Sequence, residues 1–120
     1  MDILVVDDDP IVLHSCVRIL QSSGYTIVTA TRVQEALQIL EKENFSIILL
    51  DIKMPEEDGL TLIKKAREKG YPMPILVMSG FPTSDTIRAS IESGAHAFIS
   101  KPFTPDELLQ EVEKILQGES

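Results

Sequence analysis

Five short apolar runs, spaced along the chain, most constrain what it can fold into. They span residues 3–6, 26–29, 46–50, 75–78 and 97–99, and they consist mainly of Ile, Val and Leu. Runs that are this short and continuously apolar are typical of strands buried on both faces, as in a parallel sheet. The segments between the runs therefore decide the fold class.

The segments after the runs carry the periodicity of amphipathic helices. Between the second and third runs, apolar residues recur with the i, i+3, i+4 and i+7 spacing of one helix face: Val33, Ala36, Leu37 and Leu40. Thr31 and Gln34 have the spacing of a capping box that would begin this helix. After the fifth run, Thr104, Pro105 and Glu107 predict an N-cap, a first helical position and a capping box. We therefore expect helices after the second and fifth strands.

Glycines predict the ends of the three other helices. Apolar residues at helical spacing precede Gly24, Gly70 and Gly94, and glycine commonly follows the last turn of a helix. Asp9 and Pro10 are interpreted as the N-cap and first position of the first helix. The chain thus alternates five strands with five helices. This order predicts an α/β fold, a flavodoxin-like doubly wound (βα)5 three-layer sandwich with a parallel sheet in the order 2-1-3-4-5.

Length and charge limit the number of domains and the class of partner. The 120 residues suit a single domain, which we expect to span residues 1–120. The net charge of −8 repels phosphate backbones and anionic lipids, so neither nucleic acid nor a membrane is expected as a direct partner. No apolar stretch approaches the roughly 20 residues of a membrane helix. Cys16 is the only cysteine, which excludes an intramolecular disulfide and fits a reducing, cytoplasmic location.

Polar and charged side chains follow four of the predicted strands. Asp7 and Asp8 follow the first strand, Asp51 the third, Ser79 the fourth and Lys101 the fifth. Because strands 1 and 3 are neighbours about 4.8 Å apart in the predicted order, their carboxylates would crowd together. An all-oxygen set favours a hard divalent cation, Mg²⁺ or else Mn²⁺. Three carboxylates, one ammonium and one dication would cancel in charge, and such a site could accept an anionic group.

Together these residues resemble the receiver domain of two-component response regulators. The resemblance covers essentially the whole chain. Its motifs are Asp7-Asp8, Asp51, Ser79 and Lys101-Pro102-Phe103, with Met54-Pro55, Asp58-Gly59 and Gly94-Ala95 as lesser features. Any one motif would be weak evidence, but the combination at these spacings is highly specific. The resemblance implies a regulatory phosphoacceptor domain rather than an enzyme, although one that assists its own phosphorylation and dephosphorylation.

The resemblance also implies a role for each site residue. Asp51 would take a phosphoryl group from the phosphohistidine of a sensor histidine kinase and form an acyl phosphate. Asp8 and Asp51 would bind Mg²⁺ directly, with the backbone carbonyl of Lys53, while Asp7 would reach the ion largely through water. Lys101 would pair with a phosphoryl oxygen, and the peptide bond that follows it is cis in the family.

Two further positions imply a conformational switch. Ser79 stands where the family has a Ser or Thr whose hydroxyl moves to the phosphoryl group, and Phe98 where an aromatic ring rotates behind it. The responding surface would be helix 4, strand 5 and helix 5, about residues 83–117, where family members form homodimers or contact a downstream protein or output domain. Lys53 and Phe81 occupy positions that tune hydrolysis of the acyl phosphate, and we expect the bulky Phe81 to slow it.

Three alternative functions use parts of the same pattern. A Mg²⁺-dependent phosphohydrolase of the haloacid-dehalogenase kind also has an Asp nucleophile, but its second Asp, two residues later, is Lys53 here. A flavin or nucleotide binder would need a Gly-rich phosphate loop after strand 1, where this chain has carboxylates. A receiver that docks without being phosphorylated would be expected to lack a key residue. All five key residues are present in this chain: Asp7, Asp8, Asp51, Ser79 and Lys101. A phosphorylated receiver is therefore the favoured function.

Overall fold

The apolar runs form parallel strands, and the periodic segments form the helices that connect them. The computed structural model describes residues 2–52, 59–80 and 83–118. In these ranges the strands are β1 (Asp2–Val6), β2 (Thr26–Ala30), β3 (Ile47–Asp51), β4 (Ile75–Ser79) and β5 (Ala97–Ser100). The helices are α1 (Pro10–Gln21), α2 (Val33–Lys42), α3 (Gly59–Glu68), α4 (Ser84–Ser93) and α5 (Pro105–Leu116). Strands and helices thus alternate as the sequence predicted.

The strands of the described residues form one parallel sheet in the order β2-β1-β3-β4-β5, which confirms the predicted topology. The central strands β1, β3 and β4 are buried along their length, apart from Asp2 at the start of β1. Side chains alternate between the two faces: Leu4 and Val6 lie in one apolar cluster, and Ile3 and Val5 lie in the other. Both faces of a central strand therefore need apolar residues, which explains the unbroken apolar runs.

Helices cover both faces of the sheet, so the structure has three layers. Buried residues of α1 and α5 pack on one face, those of α2 and α3 pack on the other face, and α4 lies beside α3. Within the described ranges, no helix combines the length and the apolar character that crossing a lipid bilayer requires. The carboxyl ends of all strands meet at one edge of the sheet, and that edge carries the polar residues singled out above.

Side-chain caps fix the starts of two helices as the sequence predicted. At α1, the Asp9 carboxylate accepts a hydrogen bond from the N–H of Ile11 at 2.9 Å, and Pro10 is the first helical residue. At α5, Thr104 and Glu107 form a reciprocal capping box, with bonds of 3.1 Å and 2.9 Å. Both caps satisfy amides that have no partner inside the helix.

The predicted capping box at the start of α2 is wrong. The helix begins at Val33, and its N-cap is Arg32, which makes no side-chain capping bond. The carboxylate of Glu35 instead accepts a hydrogen bond from the N–H of Thr31 at 2.8 Å. Thr31 therefore lies before the N-cap, and Gln34 is not its partner. A charged carboxylate is a stronger acceptor than a neutral amide, which favours the bond to Glu35.

The first residue of α3 lies against the end of β3. The N–H of Gly59 donates to the carbonyl of Ile52 at 2.7 Å. A Cβ atom at position 59 would lie 2.8 Å from the carbonyl oxygen of Asp51 and 2.8 Å from the Cα of Ile52. Because both of these atoms belong to the backbone, neither can rotate away from a side chain. Glycine at this position thus allows α3 to start beside the strand end that carries Asp51.

We predict that Gly59→Ala destabilises the fold, because its Cβ would collide with the backbone of β3. The free energy of unfolding should fall by about 1–3 kcal/mol, the usual cost of overpacking, as measured by urea denaturation. Gly80→Ala is the matched control, since a Cβ there would meet no described atom within 4 Å. An equal loss of stability in the two variants would contradict the close contact.

Candidate functional site

Three carboxylates meet at the carboxyl ends of β1 and β3. The two strands are adjacent, with Val6 opposite Leu50, so the residues that end or follow them lie side by side. Asp7 follows β1 directly, and Asp51 is the last residue of β3. One carboxylate oxygen from each of Asp7, Asp8 and Asp51 lies within 4.8 Å of the others. The convergence that the strand order predicted is therefore confirmed.

The three carboxylates differ in exposure. Asp7 is 0% exposed and Asp51 is 8% exposed, whereas Asp8 is exposed. The N–H of Asp9 donates to Asp7 Oδ1 at 2.9 Å, which closes an Asx turn and fixes the Asp7 side chain. Sequence reasoning missed this backbone amide, although an Asp two residues before a helix N-cap is a signal for such a turn.

Lys101 supplies the positive charge of the cluster. It follows β5, and its Nζ lies 2.9 Å from Asp7 Oδ2 and 3.2 Å from Asp51 Oδ2. Its N–H donates to the carbonyl of Ser79 at 2.8 Å, which ties the end of β5 to the end of β4. The peptide bond between Lys101 and Pro102 is cis, as the resemblance implied. One ammonium is thus shared between acids from two strand ends.

Burial and charge oppose each other in this cluster. Burial raises the pKa of Asp7, and the charge of Asp51 adds to the rise, while hydrogen bonds from Asp9 and Lys101 act in the opposite direction. Burial alone would lower the pKa of Lys101, but its contacts with Asp7 and Asp51 outweigh burial, and the pKa is raised. Lys101 is therefore an ammonium ion at neutral pH. With all three acids ionised, two negative charges remain uncompensated by Lys101.

The donor atoms of the cluster suit a hard divalent cation. They are carboxylate oxygens, which Mg²⁺ and Mn²⁺ prefer, whereas zinc sites usually include Cys or His. Among the residues that the structure describes, neither histidine joins the cluster: His14 is exposed on α1, and His96 is exposed just before β5. Lys53, the predicted source of a carbonyl ligand, lies outside the described residues, as does Phe81.

Ser79 and Phe98, the predicted switch pair, lie at one corner of the sheet. Ser79 is the buried last residue of β4 and pairs with Ser100 of β5. Two residues earlier, Val77 pairs with Phe98. Because side chains alternate along a strand, Ser79 and Phe98 belong to the sheet face on which α3 and α4 lie. Phe98 is half-buried and packs against the core on that face.

Cys16 is a core residue. It is fully buried in α1, within the apolar cluster that also contains Ile3 and Val5. Burial, together with the nearby charge of Asp7, raises the pKa of its thiol to about 11. The thiol is therefore protonated at neutral pH and is not a nucleophile.

Sequence comparison connects this geometry to one family. The family model described as the response regulator receiver domain matches residues 3–113. The transcriptional regulatory protein BasR of Escherichia coli is 34% identical to this chain over an alignment that covers all of it. The chain spans 56% of the length of BasR, so this relative contains a further segment that the present sequence does not match.

Structural comparison agrees with the sequence match. The CheY-like receiver domain protein from Methanospirillum hungatei superposes with a TM-score of 0.92 at 34% identity, covering 98% of this chain and 94% of that one. The beryllofluoride-activated NtrC4 receiver domain, solved as a dimer, superposes with a TM-score of 0.91 at 31% identity, covering 99% and 98%. With its strand order, its acidic cluster and these matches, the chain belongs to the family of response regulator receiver domains of two-component systems.

Proposed function

We propose that Asp51 is the phosphoacceptor of this receiver domain and takes its phosphoryl group from the phosphohistidine of a sensor histidine kinase. The observation that carries the proposal is the position of the Asp51 carboxylate. It ends β3, lies within 4.8 Å of two other carboxylates, and accepts a hydrogen bond from Lys101 at 3.2 Å. A nucleophile, a set of metal ligands and a cation for the phosphoryl oxygens thus meet at one point.

Burial supports Asp51 rather than Asp7 as the acceptor. Asp7 is fully buried, and both of its oxygens accept hydrogen bonds, Oδ1 from Asp9 and Oδ2 from Lys101. Asp51 retains 8% exposure, which leaves its carboxylate within reach of a donor. Asp8 is exposed and suits a metal ligand that also contacts water. The three acids therefore have different proposed roles.

The transfer requires no general base. A carboxylate oxygen carries no proton that must be removed, so the Asp51 side chain can attack phosphorus directly. A bond forms between its oxygen and phosphorus while the phosphorus–nitrogen bond of the phosphohistidine breaks, and the imidazole leaves with the electron pair and is protonated. Lys101, already in contact with Asp51, then pairs with an oxygen of the transferred group. Asp7 holds Lys101 from the buried side and keeps the ammonium aimed at this position.

The same carboxylates are the proposed ligands of Mg²⁺. Asp8 and Asp51 are assigned as direct ligands, and Asp7, whose oxygens are engaged, as a residue that acts through water. Mn²⁺ is expected to substitute, because both cations prefer oxygen ligands. When bound, the ion offsets the negative charge of the phosphoryl oxygens. Asp8 and Asp7 would then hold the positive charge of the ion beside Asp51.

Phosphorylation is proposed to change the surface of α4, β5 and α5. The phosphoryl group brings charge and acceptor oxygens to the edge where β4 ends in Ser79. We expect the Ser79 hydroxyl to follow this group and Phe98 to move in behind it, which biases a two-state equilibrium. The changed surface would serve a homodimer, a downstream protein or an output domain. The NtrC4 receiver domain is dimeric when activated by beryllofluoride, and BasR is a transcriptional regulator.

Residues 1–120 are proposed to form one receiver domain that works in the cytoplasm, assists its own dephosphorylation and makes no direct contact with nucleic acid, given its charge of −8. The phosphohydrolase alternative is not favoured, since the receiver family matches residues 3–113. A receiver that docks without phosphorylation is not favoured either, because the acids and Lys101 are assembled within bonding distance.

We predict that acetyl phosphate and Mg²⁺ add one phosphoryl group to the protein, as measured by intact-protein mass spectrometry. Asp51→Asn should stay unmodified, because a neutral amide is a poor nucleophile, and a chelator should prevent the modification of the wild type. Asp2→Asn is the matched control, since Asp2 is exposed and lies at the opposite end of β1. Modification of Asp51→Asn to the wild-type extent would refute the assignment of the acceptor.

We also predict that Asp51→Ala stabilises the metal-free protein. The substitution removes one of three crowded negative charges, and Lys101 keeps its 2.9 Å bond to Asp7. The melting temperature in chelator should rise by a few degrees, a gain on the order of 1 kcal/mol. Saturating Mg²⁺ should stabilise the wild type more than the variant, because the variant lacks a ligand.

The control for this experiment is Asp2→Ala, which changes the net charge equally but lies outside the cluster. It should leave the melting temperature in chelator nearly unchanged. If Asp51→Ala melts below the wild type in chelator, the carboxylates do not repel one another as the geometry indicates, and the electrostatic account of the site is wrong.

A further inference from the structure

Arg67, on the last turn of α3, joins three segments of backbone. Its guanidinium donates four hydrogen bonds: Nε and Nη2 to the carbonyl of Gly94 at 3.1 and 2.8 Å, and Nη1 to the carbonyls of Tyr71 and Met73 at 2.7 and 2.9 Å. Tyr71 and Met73 precede β4, and Gly94 is the C-cap of α4. A single side chain thus links the end of α3 and the segment before β4 to the end of α4.

This link matters because α4 packs weakly against the rest of the domain. Within α4, all of which is described, only Ser90 is buried, and Ile91 remains 46% exposed. By contrast, α2 and α3 each bury four residues, and α5 buries three. Most of the stability of a helix in a protein comes from its buried apolar face. Hydrogen bonds at the ends of α4 therefore contribute a larger share of what holds this helix to the domain than they do for the other helices.

The C-terminal end of α4 is firmly tied to its surroundings. Gly94 has a φ of 119°, and a Cβ there would lie 2.7 Å from Arg67 Cγ, so the arginine side chain passes directly over the glycine. The next residue, Ala95, donates to the carbonyl of Ser90 at 3.0 Å, and His96 donates to that of Ile75 at 2.9 Å. A guanidinium also complements the partial negative charge of a helix C-terminus.

The N-terminal end of α4 is held by bonds within its own first turn. The Thr83 hydroxyl accepts from the N–H of Thr86 at 3.1 Å and is 2.7 Å from the hydroxyl of Thr86. Thr83 and Ser84 are both exposed. Among the described residues, these side-chain bonds stabilise the helix itself and do not attach it to the sheet. The two ends of α4 are therefore attached to the domain in different ways.

We infer that Arg67 is a positioning residue that anchors α4 at its C-terminal end, so that the helix opens or shifts from its Thr83 end. The anchor lies at the edge of the sheet where β4 and β5 begin, whereas Ser79, Asp51 and Lys101 lie at the edge where strands end. The ten residues of α4 span about 15 Å between these edges. Movement of α4 is thereby confined to the end nearer the acidic cluster. The inference concerns the unmodified domain and does not depend on the role of Asp51.

Amide hydrogen exchange followed by NMR tests this anchor in the whole domain. In the wild type, the amide of Ala95 should exchange at least about tenfold more slowly than that of Ile87, which bonds the Thr83 carbonyl in the first turn of α4. Arg67→Ala should accelerate exchange at Gly94 and Ala95 by about tenfold or more, beyond any change in the core strands β1 and β3, which report global unfolding.

Two further variants separate anchoring from general destabilisation. Arg88→Ala removes an exposed arginine of α4 itself and should leave exchange at Ala95 unchanged. Arg67→Lys, which keeps the charge but not the fork of donors, should lie between the wild type and Arg67→Ala. The inference is overturned if Ala95 exchanges as fast as Ile87 in the wild type, or if Arg67→Ala and Arg67→Lys accelerate β1, β3 and α4 equally.

Discussion

The bond between the Lys101 ammonium and two carboxylates is the interaction on which the site depends. Adjacent parallel strands deliver Asp7 and Asp51 to the same edge of the sheet, and burial would make two such charges costly without a cation between them. Lys101 compensates only one of the three acids. The cluster is therefore suited to a dication and, once the dication is bound, to an anionic group. In the proposed function, this charge balance means that a bound dication prepares the site for a phosphoryl group.

The charged cluster and the bonds of Arg67 lie at opposite edges of the sheet. Strand ends at one edge carry Asp51, Ser79 and Lys101, and strand beginnings at the other edge lie beside the bonds from Arg67 to Met73 and Gly94. The helix that connects the two edges, α4, buries little of its surface. A weakly packed helix with one fixed end can respond to a change at the other end at low energetic cost. We therefore propose that a change at the acidic cluster reaches α4 through the end of the helix that begins at Thr83.

Much of the fold was predictable, because the central strands are buried on both faces and are apolar except at their end residues Asp2, Asp51 and Ser79. The same topology made the meeting of Asp7, Asp8 and Asp51 predictable, since strand order alone places their carboxylates together. Competition between neighbouring side chains for the same backbone N–H was harder to predict. The start of α2 was predicted wrongly because Glu35, rather than Gln34, bonds the chain before the helix.

Other features had little or no signal in the sequence. The hydrogen bonds of Arg67 go to backbone carbonyls. Because every residue has a backbone carbonyl, no pattern of side chains in the sequence predicts these bonds. The complete burial of Asp7 depends on the Asp9 amide and on Lys101, 94 residues away along the chain. Residue type predicted which groups meet, whereas exposure and backbone bonding, which support their proposed roles, came from the folded structure.

A crystal structure with Mg²⁺ and beryllofluoride, a mimic of the phosphoryl group, tests the central claim most directly. The account predicts beryllium bonded to an Asp51 oxygen, Mg²⁺ in contact with Asp8 and Asp51 at about 2.1 Å, and Lys101 paired with a fluorine atom. Beryllofluoride on another residue, or a metal ion bound away from these acids with Lys101 still bonded to Asp51, would contradict it.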